Sequence, residues 1–182
     1  MTRTRSILGI GFLAGSCVLA LACASYGVRT DYDLETDFSE FESYRWLEPP
    51  PARDPRLEND LIRKRIRRAV DDELAAKGLT PREAGEPDLF VTYHAIIERK
   101  VDIETTHYGY GYRRYGSRYS EVYAREYEVG TLIIDLVDAD SRELVWRGSG
   151  QAQLNQDVSP ERREQRVRAV VAAILADYPP KD

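Results

Sequence analysis

From Leu89 onward the chain alternates. Leu89, Val91, Tyr93, Ala95 and Ile97, then Val101 and Ile103, stand at odd positions, with Thr92, His94, Glu98 and Lys100 between them. A period of two sends successive side chains to opposite faces of a strand, so the pattern predicts one long strand with a single buried face. Such a strand needs a second layer to cover it, and that requirement governs the rest of the reading. Residues 128–138, with Val129, Leu132, Ile133, Ile134, Leu136 and Val137, form a more continuous apolar run, as expected of a central strand. Asp138-Ala139-Asp140-Ser141 has the composition of a turn. After it, Leu144, Trp146, Gly148, Gly150 and Ala152 alternate against Val145, Arg147, Ser149 and Gln151, giving a third long strand. Its glycines allow a helix or neighbouring backbone to approach closely. A short turn or a flexible excursion joins each of these strands to the next, so they should pair antiparallel.

Two helices supply the cover. Asp54-Pro55 reads as a helix start, an acidic cap before proline at the first helical position. Ile62, Ile66, Val70 and Leu74 then recur every four residues with Ala69 beside them, and Gly78 closes the helix. Ser159-Pro160-Glu161 caps a second helix, in which Val167, Val170, Val171, Ile174 and Leu175 fall within about 140° of arc. A short aromatic strand, Ser43-Tyr44-Arg45-Trp46-Leu47, precedes the first helix and is stopped by Pro49-Pro50-Pro51. The order strand, helix, three strands, helix predicts an α+β two-layer sandwich: a mainly antiparallel sheet of about four strands with two helices packed on one face. Residues 43–182 form this single domain, interrupted by a Tyr/Gly-rich excursion at 105–127.

The amino terminus reads as an address. Arg3 and Arg5 precede an uncharged run from Ile7 to Ala22, the arrangement of a signal peptide over residues 1–22. The run is short of the roughly 20 apolar residues that span a bilayer as a helix. It ends Leu19-Ala20-Leu21-Ala22-Cys23-Ala24-Ser25, which resembles the lipobox of bacterial lipoproteins; Cys17 after Ala14-Gly15-Ser16 is a competing position. Lipid on Cys23 would anchor the protein firmly, because two or three acyl chains together bind a membrane where one binds marginally. Ala24 rather than aspartate after that cysteine implies, by likeness to such lipoproteins, a place on the outer membrane facing the periplasm. Residues 23–42 would be the lipidated N-terminus and tether, polar and irregular over 24–37, and the stretch from Cys23 to Asp31 reaches at most about 28 Å.

Cleavage before Cys23 leaves 160 of the 182 residues, with 24 basic and 31 acidic side chains once Arg3 and Arg5 are gone. The acidic balance argues against a nucleic-acid partner. With Cys17 lost and Cys23 acylated, no thiol remains for a disulfide, a metal cage or a nucleophile. The basic run Arg63-Lys64-Arg65-Ile66-Arg67-Arg68 spreads around the polar circumference of its helix and reads as a solvated face, with Asp60–Lys64 and Glu73–Lys77 at the spacing of favourable pairs. Glu73 lies at the edge of the apolar arc, either as a partner of Lys77 or as a carboxyl with a raised pKa.

With the elements laid out, the chain resembles the bacterial lipoprotein family called domain of unknown function 4136. The matching stretches are Asp31-Tyr32-Asp33, Asp37-Phe38-Ser39, Tyr44-Arg45-Trp46 and Glu73-Leu74-Ala75-Ala76-Lys77-Gly78. Further on come Pro87-Asp88-Leu89 with Val91 and Tyr93, Gly130-Thr131-Leu132, Asp135-Leu136-Val137-Asp138, Leu144-Val145-Trp146-Arg147-Gly148 and Tyr178-Pro179-Pro180. The resemblance implies an envelope lipoprotein with an α+β fold and transfers no catalytic residue.

Seven of the twelve tyrosines crowd into His107–Tyr127. Tyr108, Tyr110, Tyr112, Tyr115, Tyr119 and Tyr123, with Arg113 and Arg114 among them, make a candidate interaction loop for an envelope protein or a glycan. Tyrosine gives large amphipathic contacts at low entropic cost, and arginine stacks on it. The bland alternative is a connection of relaxed composition. His94 falls on the polar face of its strand, and Asp102, Glu104 and His107 make only a weak metal set. The sequence holds no nucleophile elbow, zinc-protease motif or phosphate loop. The expectation is a membrane-anchored envelope lipoprotein with a structural or interaction role, neither an enzyme nor a cofactor or metal protein. The alternative is a non-catalytic binder of a small ligand or lipid between sheet and helices that supports envelope transport.

Overall fold

The computed structural model describes residues 26–107, 120–155 and 157–180. Its elements in chain order are β1 (Arg29–Tyr32), β2 (Ser43–Trp46), α1 (Asp60–Ala76), β3 (Thr80–Pro81), β4 (Leu89–His107), β5 (Ser120–Asp138), β6 (Leu144–Leu154) and α2 (Pro160–Leu175). The strands make one sheet in the order β1-β6-β5-β4-β2-β3. The predicted α+β class holds, with two helices. The sheet, however, has six strands rather than about four, and it is mixed.

The three long strands pair antiparallel as expected, with Tyr93 opposite Ile134 and Ile134 opposite Gly148. The parallel part comes from β2, which runs alongside both β3 and β4 because α1 carries the chain back across the sheet between them. β1 corrects a second expectation. Residues placed in an irregular tether pair with β6, Arg29 against Ser149 through Tyr32 against Trp146. They read as polar because an edge strand has little to bury.

The core lies between one sheet face and both helices. Ile66, Ala69, Val70 and Leu74 of α1 meet Leu89, Val91 and Tyr93 of β4, Leu132, Ile134 and Leu136 of β5, and Val171, Ile174 and Leu175 of α2. Trp146 is fully buried and packs edge-on against Tyr178, ring centres 5.5 Å apart. The glycines of β6 do what their positions suggest. A side chain at Gly150 would stand 2.9 Å from Ile174 and Val170, and one at Gly148 would collide with Trp146 and Ile174. Their bare backbone lets α2 rest on the sheet.

α1 begins later than expected. Asp54-Pro55 closes an isolated turn, with Leu57 N–H donating to the Asp54 carbonyl, and the helix starts at Asp60. Its cap is Asn59, whose side chain accepts from Ile62 N at 3.0 Å. Gly78, at φ +93°, ends it: Gly78 N–H reaches the Ala75 carbonyl and Leu79 N–H the Leu74 carbonyl, while Leu74 and Leu79 are both buried. α2 starts as read, with Ser159 as cap and Pro160 in the first turn.

β4 and β5 also run on where an excursion was expected over 105–127. Backbone pairing continues to His107 opposite Ser120. Cross-strand charge supports the extension, Asp102 facing Arg125 and Arg99 lying 3.7 Å from Glu128. Beyond Ile97 neither helix covers this hairpin arm, and Val101 and Ile103, expected on a buried face, are 56% and 64% exposed.

Candidate functional site

Where the arm leaves the body, the two layers part. α1 and α2 lie side by side and run the same way, tied by Arg65–Glu164 at 3.3 Å and by Arg168–Asp72 at 2.9 Å. Toward their C-terminal ends large side chains fill the space beneath them. Toward their N-terminal ends the sheet offers Ala95 and Ala152, and an open groove of about 740 Å³ lies over them, with Gly130 and Gly150 in its lining under Leu154 and α2. Leu61, Ile62 and Ile66 form its α1 wall and Val167 and Val170 its α2 wall, with Leu154 at the end of β6. Its volume falls within the roughly 300–1,000 Å³ of ordinary ligand sites. Leu61 is 65% exposed at the mouth, an apolar side chain that the body of the protein does not use.

The rim is more basic than the chain as a whole. Arg56, Arg65, Arg163 and Arg166 stand around it against Asp60 and Glu128, while the full chain carries a net charge of −5. Arg56 bridges Asp54 at 2.7 Å and Glu128 at 3.0 Å, pinning the turn before α1 to β5. Hydrogen bonds from Arg56 hold the Asp54 carboxyl down to about 2. Arg65 is engaged by Glu164. Arg166 is exposed and makes no ion pair with any described residue.

Two polar clusters lie elsewhere. On the sheet face away from the helices, Asp135 is 3% exposed and takes two bonds from Arg147, at 2.6 and 2.7 Å, with His94 Nε2 at 3.2 Å. His94 is therefore a half-exposed partner of a buried carboxylate rather than a plain surface residue. Under α1, Asp71 accepts from the Tyr44 hydroxyl at 2.7 Å and from Trp46 Nε1 at 2.8 Å. Burial, with the Asp71 carboxylate beside it, pushes the Tyr44 hydroxyl well above its ordinary pKa. Both clusters tie strands or helix together, and neither opens onto the groove.

Of the residues singled out by sequence, Cys23 and the loop residues Tyr108, Tyr110, Tyr112, Arg113, Arg114, Tyr115 and Tyr119 lie outside the described residues. Tyr123 falls on β5, its backbone opposite Glu104. Among the described residues no three metal-ligating side chains gather, and no helix is long and apolar enough to cross a membrane. Asp138-Ala139-Asp140 is the expected turn, its first carboxylate accepting from Asp140 N and Ser141 N. Glu73 is half-buried on α1. Sequence reasoning offered a ligand between sheet and helices as an alternative but named none of the residues that form the groove. Its one legible signal was the string of alanine and glycine at positions where β4, β5 and β6 should bury large residues.

These features define a two-layer α+β domain on a mixed sheet. The chain belongs to the family described as Domain of unknown function (DUF4136), whose model matches residues 28–180. No curated protein is recognisably similar in sequence. Among solved structures, a PDZ domain protein from Parabacteroides distasonis shares the fold at 17% identity and a TM-score of 0.55, over 85% of this chain. The chain spans 36% of that protein's length. The PelC dodecamer from Paraburkholderia phytofirmans aligns at 10% identity and a TM-score of 0.49, over 84% of this chain and 96% of that one.

Proposed function

We propose that this protein is a membrane-tethered, non-catalytic binding module of the cell envelope, with the apolar groove as its working surface. The groove carries the reading: it is open, ligand-sized and walled by aliphatic side chains, and among the described residues around it none pairs a nucleophile with a base. The tether is the lipid on Cys23, and the address is the periplasmic side of the outer membrane; both rest on the leader and lipobox. Two measurements test the two halves. Cys23→Ser should abolish partition of the protein into a detergent-rich phase; a processed chain that still partitions there ends the tether reading. An anionic naphthalene-sulfonate dye should brighten on the wild-type protein and stay dark on Ala152→Trp, which fills the groove. Equal fluorescence from the two would end the groove reading.

The tyrosine-rich segment is a second candidate contact, supported by its pattern of tyrosine, glycine and arginine. Deleting residues 108–119 should reduce recovery of an envelope partner after crosslinking in cells, and unchanged recovery would remove it.

A further inference from the structure

We infer that the groove receives an acyl chain of an anionic phospholipid drawn from the bilayer to which the protein is tethered. The inference rests on the tether reading above and adds the identity of the occupant. Two independent observations carry it.

The first is where the chain leaves the sheet. β1 runs antiparallel to β6, so its N-terminal end lies toward the end of β6 that borders the groove. A side chain built on Gly27 would stand 3.9 Å from Gln151, the neighbour of Ala152 in the groove floor. Only four residue steps separate Gly27 from Cys23, a reach of about 14 Å at most. A lipid on Cys23 therefore holds the end of the sheet that borders the groove close to the bilayer, where phospholipid is the most concentrated apolar ligand. The occupant does not need to be the protein's own acyl group.

The second is charge. A zwitterionic or uncharged amphiphile gives no reason for a basic rim on an acidic chain. Arg166, exposed on α2 and without an ion pair among the described residues, stands beside Val167 and Val170 of the wall. A single basic side chain near a headgroup favours the anionic lipid about fivefold.

The test uses the full, lipidated protein in vesicles of phosphatidylethanolamine. These carry a trace of phosphatidylglycerol with a diazirine near the end of one acyl chain, and flotation is measured first. After illumination, the label should map to peptides containing Leu61, Ala152 or Val170. It should be lost in Ala152→Trp and fall about fivefold in Arg166→Gln. A phosphatidylcholine probe with the same chain should label about fivefold less. Leu61→Glu guards against misfolding as the cause, since that position is 65% exposed; it should keep the wild-type melting curve and still lose the label. Label spread over other surfaces, label unaffected by Ala152→Trp, or a protein crosslinked at the groove in cells would each overturn the inference while leaving the tether intact. A wild-type chain that fails to float would remove the tether reading, and this inference with it.

Discussion

The two halves of the β4–β5 hairpin share one alternation and have opposite fates. From Leu89 to Tyr93, and again from Leu132 to Leu136, the inward positions are buried under α1 and α2. From Val101 to Ile103 the same parity stands in solvent. Alternation specifies which face a residue occupies; what covers that face is decided by other elements, here by helices that stop short of the arm. The hydrophobic contribution follows the cover, since it scales with area removed from water. The body thus holds the stability, and the arm is an extension of its hydrogen bonding.

That contrast can be broken by measurement. Trp146→Ala, in the body, should cost about 3–5 kcal/mol in urea unfolding. Ile103→Ala, in the arm, should stay within about 0.5 kcal/mol; a comparable loss at the two sites would mean the arm is packed after all. Next in size is Asp71→Ala. It strands the Tyr44 hydroxyl and Trp46 Nε1 and should cost about 2–3 kcal/mol, while Tyr44→Phe, which removes one of the two donors, should cost less.

A smaller, pH-dependent effect sits at the root of the hairpin. Burial tends to raise the Asp88 carboxyl, but it accepts from Ser43 Oγ at 2.8 Å, Glu42 N at 3.0 Å and Ser43 N at 2.8 Å, and the net direction is downward. A carboxyl depressed in the folded state stabilises fully above the ordinary aspartate value, and that contribution is lost as pH falls through the lower folded value. Melting temperature should therefore drop below about pH 4 in the wild type and less steeply in Asp88→Asn. Smallest is Arg168→Ala. The Arg168–Asp72 bridge between the helices is half-exposed at both ends, and its loss should move stability by less than about 0.5 kcal/mol.

Much of the body was legible because its signals were redundant. The β4, β5 and β6 patterns, the Asp138 turn, Ser159-Pro160 and Gly78 each carried a local reason that agreed with its neighbours. What escaped depended on partners far away in sequence. β1, Arg-Thr-Asp-Tyr, has no alternation to reveal it and is a strand only because β6 offers an edge. The parallel pairing of β2 follows from the route of α1 rather than from any residue in β2. Asp54 and Asn59 are both good caps, and only the turn that Asp54 closes tells them apart. The residues of the groove were hidden for a related reason. Alanine and glycine in a strand read as close packing, and at Gly148 they are that, but Ala95 and Ala152 line open space.

The arm has a mechanical corollary for a chain lipidated at Cys23. Glu98–His107 extends the sheet by ten residues, about 33 Å, past the level of Ala152. The leash from Gly27 spans less than half that length and departs from the same end of the sheet. A domain moored so closely would have no posture in which the arm points straight down and still clears the surface. Lipid on Cys23 would therefore leave the hairpin reclined toward the lipid plane, so that the mooring would restrict the tilt of the domain.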